Sequence, residues 1–313
     1  MGSPFEAMIK KQTRRTASPP VAGRAVAAAA AVYRTLDVQP LADGAKAMVS
    51  LFSARHSIHA VGATRDWLAQ VGSVVSVELL HDSPHRAPHI ITHRVLGKDS
   101  DTPWLEVPDP AWLSDEVAWR DLVSIVSKLR PSLQRLIHLV LRKEADLRAF
   151  LLVGASLADH HADRGGLLRH TLECMQAVRD HGASRQLDLD LAIAGAALHD
   201  IGKCREYTGV GPGSRLTDSG SLLGHMLAGY RMVCEALAMM DLDEREALAV
   251  LHCISASEAP DWVGLRIPRM VEAVLVNSCD RLSGRLEPLR PAPGQTGWYS
   301  PRTYRKQAFL ALR

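Results

Sequence analysis

The feature that most limits the fold is a change in the spacing of apolar residues near Ser114. Downstream of it, apolar side chains recur at steps of three and four residues, as at Leu122, Ile125, Val126 and Leu129. This spacing puts them on one face of an α-helix. Glycine, proline and aspartate residues separate further segments with the same pattern: 165–181, 187–200, 221–240, 243–256 and 268–285. We therefore predict a mainly α protein with a helical bundle over about 114–290.

A small β-containing module is predicted upstream, over about 41–112. Two β-branched runs, at 73–80 and 89–96, flank a proline-containing turn and are expected to pair as strands. Four histidines recur here at every fourth residue, but Pro84 and Pro88 exclude the helix that would align them. We interpret these histidines as hairpin surface rather than as a metal site: His81, His85, His89 and His93.

Composition excludes several classes of protein. With 47% apolar and 23% charged residues, the chain is typical of a soluble globular protein rather than of a disordered or coiled-coil one. No apolar run approaches the ~18 residues of a membrane span, so no membrane partner is expected. The five cysteines form no C-x-x-C pair, which favours reduced thiols and a cytoplasmic location. The net charge of +3, from 37 basic and 34 acidic side chains, does not by itself indicate nucleic acid binding.

The two ends of the chain have separate interpretations. Residues 1–24 carry five basic side chains and one acidic side chain, which fits either a solvated, disordered arm or an arm that attracts phosphate. This segment also lacks the order of a secretory signal, because a proline pair precedes its apolar stretch. The last segment, 291–313, contains Trp298 and Tyr299 and is expected to pack back on the bundle.

The clearest indication of chemistry is the pair His199 and Asp200 at the end of a long apolar run. An imidazole beside a carboxylate at the end of a buried helix is unfavourable unless a positive charge compensates them. His170 and Asp280 lie in similarly apolar segments. Taken singly, each has a structural explanation, such as a histidine bonded to a backbone carbonyl or an aspartate that caps a helix. Together they form a nitrogen and oxygen set suited to a divalent Mn, Mg, Fe or Zn ion.

These four residues, in this order on helices, resemble the metal-binding pattern of the HD-domain phosphohydrolases. The segments 160–171, 194–203 and 216–225 resemble more specifically the YhaM-type 3′→5′ exoribonucleases, which join a small OB-like nucleic-acid-binding module to a helical HD domain. The similarity covers roughly residues 115–285. It implies an OB-like position for the β-containing module, a divalent metal cofactor, and metal ligands at His170, His199, Asp200 and Asp280.

The resemblance also bears on a second metal ion. His225 is a candidate ligand for that ion. The family carries a His-His-Gly several residues after the position of His252, where this chain has Ser-Glu-Ala at 257–259. His252 and Glu258 remain candidate ligands there. The alternatives are a site with one metal, or a binding module that keeps its metal ligands.

Catalytic and substrate-binding roles follow from the same resemblance. Asp200 and Lys203 are the catalytic candidates, with Lys203 neutralising charge that develops on phosphate. The alternative for Lys203 is a surface lysine at the C-terminus of a helix, where its charge suits the helix dipole. Four residues before or within the start of the His170 helix are candidate substrate-binding residues: His160, His161, Arg164 and Arg169.

The resemblance implies a metal-dependent phosphodiesterase that digests single-stranded RNA or DNA from the 3′ end, with a small nucleotide as the second substrate class. Trp67, Trp104 and Trp112 are candidates for stacking a base, and core packing is the alternative for each. A different class is a DNA-processing protein of a conjugative element, because MobH/TraI-type relaxases also contain an HD-like domain with a Gly-Gly-Leu-Leu-x-His segment. A third alternative is an inactive HD scaffold that binds nucleic acid.

Overall fold

A computed structural model describes residues 26–27, 30–54, 57–96, 104–157, 161–210, 213–256, 266–292, 294–301 and 308–311. The basic arm at 1–24 lies outside these residues. Two compact units are distinguished, one within 1–51 and 58–95 and the other within 52–57 and 96–313. Among the described residues, no helix combines the length and apolar character that a membrane crossing requires.

The first unit is a closed β-barrel. Its strands have the following bounds: β1 Val26–Ala27, β2 Ala31–Pro40, β3 Lys46–Phe52, β4 Ser57–Ala63, β5 Val74–His81 and β6 His89–Leu96. Neighbouring strands pair in the order β5-β2-β3-β4-β6, and β6 also pairs with β5, which closes the barrel. The short β1 pairs with β5 in antiparallel orientation.

The barrel has an OB-like topology. β4 and β6 pair in parallel, with Val61 opposite His89, whereas β2 and β5 are antiparallel. A short helix, α1 (Thr64–Trp67), follows β4 and precedes β5. The expected OB-like module is therefore confirmed, and β5 and β6 lie within one residue of the two predicted strands.

The barrel begins at β2, before the predicted boundary at residue 41. β2 begins at the end of an alanine run, and alanine is depleted in strands. Arg34 and Asp37 interrupt the apolar pattern of β2, so its sequence does not predict a strand. Trp67 is only 1% exposed and packs in the barrel core, so it is not available to stack a base. A side chain at Gly62 would collide with the Trp67 indole, which shows how closely the wall contacts that ring.

The second unit is helical. Its helices have the following bounds: α2 Glu116–Val126, α3 Pro131–Val140, α4 Glu144–Leu152, α5 Gly166–Gly182, α6 Leu189–Leu198, α7 Lys203–Glu206, α8 Asp218–Leu237, α9 Glu244–Ser255 and α10 Val271–Leu286. Aspartate or threonine side chains accept backbone N–H groups at the start of several helices, as Asp188 does for α6 and Thr217 for α8. The helical bundle predicted downstream of Ser114 is confirmed.

Helix α6 lies at the centre of this unit, since every residue from Leu191 to Leu198 is buried. A helix that is apolar all round must be covered on all sides, and α5, α9 and α10 each pack against α6. Trp112 is partly buried against the same core. The central position of α6 brings the end of that helix, at His199, to the meeting point of α5 and α10.

Two short strand pairs complete the unit: β7 Tyr207–Thr208 with β8 Arg215–Leu216, and β9 Gly297–Tyr299 with β10 Phe309–Ala311. The Tyr299 hydroxyl donates to the carbonyl of Leu289, just after α10. Trp298, by contrast, is 72% exposed. In the described part of the tail, Tyr299 therefore contacts the bundle and Trp298 does not pack into it.

Candidate metal centre

The four predicted ligands converge from three helices. His170 is on α5, His199 and Asp200 directly follow α6, and Asp280 is on α10. The turn after Asp200 requires glycine, because a Cβ at Gly202 would lie 1.9 Å from the carbonyl oxygen of His225 on α8. The sequence His-Asp-x-Gly therefore ends α6 and lets the chain pass close against α8.

The ligand atoms lie at distances that suit one cation. His170 Nε2 is 3.2 Å from His199 Nε2, 3.3 Å from Asp200 Oδ2 and 3.2 Å from Asp280 Oδ1. His199 Nε2 is 3.5 Å from each of the same two carboxylate oxygens. Ligands about 2.0–2.2 Å from a metal ion lie about 2.8–3.6 Å from one another in octahedral or tetrahedral sites. The five distances that involve a histidine thus suit a single divalent ion.

The other nitrogen of each histidine is already engaged. His199 Nδ1 donates to the carbonyl of Ala196 over 2.8 Å. His170 Nδ1 lies 3.1 Å from Ser283 Oγ, and the Ser283 hydroxyl donates to Glu173. Since that hydroxyl proton is already used, Ser283 accepts from His170. In the neutral rings both Nε2 atoms then carry lone pairs, and two lone pairs 3.2 Å apart repel unless a cation lies between them.

The charges of the centre favour a cation. Burial alone would lower the pKa of His199, yet the charges of Asp200 and Asp280 raise it to about 9. His170 also has a raised pKa, because its contacts with Asp200 and Asp280 outweigh burial. Burial would raise the pKa of both aspartates, but Lys203 and the histidines lower that of Asp200, and the two histidines lower that of Asp280. The centre therefore attracts protons and, equally, divalent metal ions.

A cysteine also lies close to the centre. His170, Cys174, His199 and Asp280 each offer an atom within 4.8 Å of the others. The Cys174 sulfur, however, is 3.9 and 3.8 Å from the two His170 ring nitrogens, so it lies beside the ring rather than in line with Nε2. Burial raises the pKa of the Cys174 thiol well above its usual value. Asp200, whose oxygen is 3.3 Å from His170 Nε2, is the better fourth ligand.

His225 lies on the other side of Asp200. Its Nε2 is 3.6 Å from Asp200 Oδ1, and its Nδ1 lies 3.2 and 3.0 Å from the two oxygens of Glu206. Glu206 also accepts the backbone N–H of His225. This contact depends on Gly224, which breaks α8 with φ 71° and ψ 169°, a conformation that is essentially restricted to glycine. The kink and Glu206 together aim the second nitrogen of His225 at Asp200.

The centre opens on one side. The side chains of His170, Asp200 and His199 are at most 9% exposed, whereas Asp280 is 39% and His225 is 34% exposed. A cavity of about 210 Å³ lies at this open side, lined by residues that include Asp200, His225, Asn277 and Asp280.

Lys203 is buried, and its ammonium contacts Asp200 Oδ2 over 2.5 Å. It is not a surface lysine at the end of a helix.

His252, a further candidate ligand, is not brought to the centre. His252 Nε2 accepts the backbone N–H of Arg269 and lines a separate cleft with Arg130 and Met270. Glu258 lies outside the described residues, as does His160.

The substrate-binding candidates make local contacts. Arg169 pairs with Asp163 over 2.5 Å, and Arg164 donates to the carbonyl of Ala111. His161 is 7% exposed, and its Nε2 lies 3.1 Å from Glu173. His161 is therefore buried behind His170 rather than on the open side.

Sequence reasoning missed three residues that support the ligands, Glu173, Ser283 and Glu206. A spacing signal was present, because Glu173 follows His170 by three residues and Ser283 follows Asp280 by three. Residues three apart share a helix face. Glu206 follows Lys203 by the same step, on the short helix α7.

Comparisons with known proteins agree with this geometry. The family model for the HD domain matches residues 167–285. The 3′-5′ exoribonuclease YhaM of Bacillus licheniformis is 29% identical over 160 residues, which are 50% of this chain and 49% of that protein. The chain thus spans about half the length of this curated relative. No solved structure gives a significant match. The predicted resemblance is confirmed: residues 167–285 match the HD-domain model, and the chain is similar to YhaM over about half of its length.

Proposed function

We propose that this protein is a metal-dependent phosphodiesterase that removes nucleotides from the 3′ end of single-stranded RNA or DNA. The observation that carries the proposal is the convergence of His170, His199, Asp200 and Asp280, in which each histidine lies within 3.5 Å of the other and of both carboxylates. The HD domain match and the name of the YhaM relative support hydrolysis of a phosphoester.

The chain's own residues account for binding and orientation. Ser283 and Ala196 hold the two imidazole rings with Nε2 directed inward. A divalent ion held by this set would polarise a phosphoryl oxygen and make water a nucleophile near neutral pH. Asp280, the most exposed of the four ligands, borders the open side, where substrate and water would enter.

Lys203 and His225 complete the proposed site. The buried ammonium of Lys203 offsets the charge of Asp200 and, by the resemblance, counters charge that develops on phosphate. His225 presents Nε2 to the same cavity, where it would bind a second ion or a phosphate oxygen. A cavity of about 210 Å³ accommodates a phosphate and water but is smaller than typical small-molecule pockets, so the base and sugar would extend outside it.

The barrel supports a polymeric substrate. OB-like barrels commonly bind single-stranded nucleic acid in a strand-lined groove. A chain with such a barrel and an HD domain suits a substrate longer than one nucleotide, and this favours a nucleic acid over a free nucleotide.

The proposal is tested with single-stranded RNA and DNA labelled at the 5′ end and incubated with Mn²⁺-loaded protein. A ladder of labelled products that shorten one nucleotide at a time is expected, because the label stays on the shrinking strand. The Asp200→Asn variant should leave both substrates intact, and Asp180→Asn, which changes an exposed aspartate on α5, should behave as wild type. Intact substrates with metal-loaded wild type, or turnover by Asp200→Asn, would contradict the proposal.

A further inference from the structure

We infer that Ser283 and Glu173 are positioning residues that set the tautomer of His170 and thereby the metal affinity of the centre. The inference rests on the proposed function, because it takes the centre to be a metal site. Neither residue belongs to the ligand set, and each touches the metal position only through His170.

Two helices that pack against each other each carry one metal ligand and one supporting residue. α5 carries His170 and Glu173, and α10 carries Asp280 and Ser283, each pair three residues apart. Because such pairs share a helix face, each helix presents one ligand and one supporting side chain to the other helix. Ser283 Oγ lies 3.1 Å from His170 Nδ1 and 2.9 Å from Glu173 Oε2.

The direction of the hydrogen bonds follows from proton counting. An ionised carboxylate only accepts, and a serine hydroxyl has one proton to donate. Ser283 gives that proton to Glu173, so its oxygen accepts from His170 Nδ1–H. This arrangement favours the tautomer in which Nε2 is free to bind metal. Without the carboxylate, the hydroxyl can donate to Nδ1 instead, and the proton then moves to Nε2, where it blocks the metal position.

The carboxylate of Glu173 is itself held in place. His161 Nε2 lies 3.1 Å from Oε2, and Arg290 donates to Oε1 over 3.2 Å. His161 comes from the turn before α5 and is 7% exposed. Together with the Ser283 hydroxyl, these two donors occupy both oxygens of Glu173 and fix the orientation of its carboxylate. His161 therefore supports the centre from the buried side of His170 rather than contacting substrate.

A purely structural role, in which Ser283 only ties α10 to α5, makes different predictions. A tie of this kind contributes to stability with or without metal, so its loss lowers the stability of the metal-free fold and leaves the metal affinity unchanged. If Ser283 and Glu173 instead position His170, their loss weakens metal binding, and Glu173 acts on His170 only through Ser283. Removing both residues should then cost no more metal affinity than removing Ser283 alone.

The test uses the full chain, freed of metal, and titrates Zn²⁺ against a chromophoric chelator of known affinity. Ser283→Ala should raise the Kd by about 10–100-fold, the usual effect of losing a partner of a metal-bound histidine. Ser283→Thr, which keeps the hydroxyl, should restore the Kd to within about threefold of wild type. Ser278→Ala is the matched control, since this exposed serine on α10 donates to the carbonyl of Val274 and is expected to leave the Kd unchanged.

The double variant Glu173→Gln/Ser283→Ala should bind Zn²⁺ as Ser283→Ala does, within about twofold. An unchanged Kd in Ser283→Ala, failed rescue by Ser283→Thr, or additive losses in the double variant would overturn the inference. Thermal unfolding of each metal-free variant verifies that the compared proteins are folded. Failure of the proposed function is distinguishable, because a wild type that binds zinc but leaves labelled RNA and DNA intact would contradict the function alone. Failure of the metal site would appear as a wild type with no zinc binding that Asp200→Asn abolishes.

Discussion

The two oxygens of Asp200 face different surroundings. Oδ2 lies on the buried side with His170 and His199, where both imidazole rings have a fixed Nδ1–H. Oδ1 faces His225, which is 3.6 Å away and one-third exposed. The buried side is built by packed helices, and the open side depends on a kink in one helix. We therefore expect one tight metal position and one weaker position where substrate or a second ion enters.

The largest effect should come from the buried side. His199→Ala removes a ligand that Ala196 holds in orientation and leaves the acidic centre with one imidazole fewer. The Kd for the tight metal should rise by at least about 100-fold, more than for loss of a supporting residue. Metal content by mass spectrometry after dialysis is the measurement. If His199→Ala retains a stoichiometric ion, the buried side is not the tight site.

A smaller effect is expected on the open side. His225→Ala should leave the tight ion in place, with its Kd within about threefold, while phosphodiesterase turnover falls about 10–100-fold. The cause is the loss of the only imidazole that the described residues place beside Oδ1. Zinc titration and turnover on bis-p-nitrophenyl phosphate separate the two quantities. Equal losses of metal from His225→Ala and His199→Ala would contradict a tight metal position on the buried side and a weaker one on the open side.

The kink in α8 can be tested by itself. Gly224→Ala places a side chain at φ 71° and should destabilise the fold by about 1–3 kcal/mol, because strained backbone of this kind has that cost. It should also displace His225 and reproduce part of the His225→Ala loss of turnover. Gly213→Ala is the control, since a Cβ there meets no atom within 4 Å. Denaturant unfolding gives the free energy of both variants, and equal values would contradict a strained kink.

The smallest effect concerns stability in acid. Burial alone would raise the pKa of Glu173, but the contact with His161 and those with Ser283 and Arg290 lower it to about 2. The ionised carboxylate thus stabilises the metal-free fold above pH ~4.5, and this contribution is lost as the pH falls from about 4.5 to 2.

Glu173→Gln should therefore flatten the stability profile over that interval and lower stability at pH 7 by about 1–2 kcal/mol. Urea unfolding followed by circular dichroism at each pH is the measurement. Glu116→Gln, at an exposed glutamate on α2, should follow the wild-type profile. If the stability of Glu173→Gln also follows the wild-type pH profile, the contacts of the wild-type Glu173 carboxylate do not stabilise the fold.

How far the sequence predicts the molecule depends on the strength of local patterns. The helices were predictable because α6 is a continuous apolar run and the flanking helices have clear three-and-four spacing. The barrel was predictable only from β5 and β6, whose β-branched residues stand out. Strand β2 is not predicted because it follows an alanine run and because the charged Arg34 and Asp37 interrupt its pattern. Its place in the barrel comes from pairing with β5.

The residues of the candidate centre also differ in how far the sequence predicts their roles. His170, His199, Asp200 and Asp280 stand out as polar residues in apolar helices, so their meeting point was predictable. Ser283 and Glu173 look like ordinary polar helix residues, and their role emerges only where α5 and α10 cross. His252 illustrates the opposite case: the family resemblance made it a candidate ligand, but the backbone N–H of Arg269 occupies its Nε2.

We expect one divalent ion to bind between α5, α6 and α10. Diffraction from crystals grown with Mn²⁺ and measured near the manganese absorption edge tests this expectation. An anomalous peak should appear about 2.0–2.3 Å from His170 Nε2, His199 Nε2, Asp200 Oδ2 and Asp280 Oδ1. A peak elsewhere, or none at saturating Mn²⁺, would contradict it.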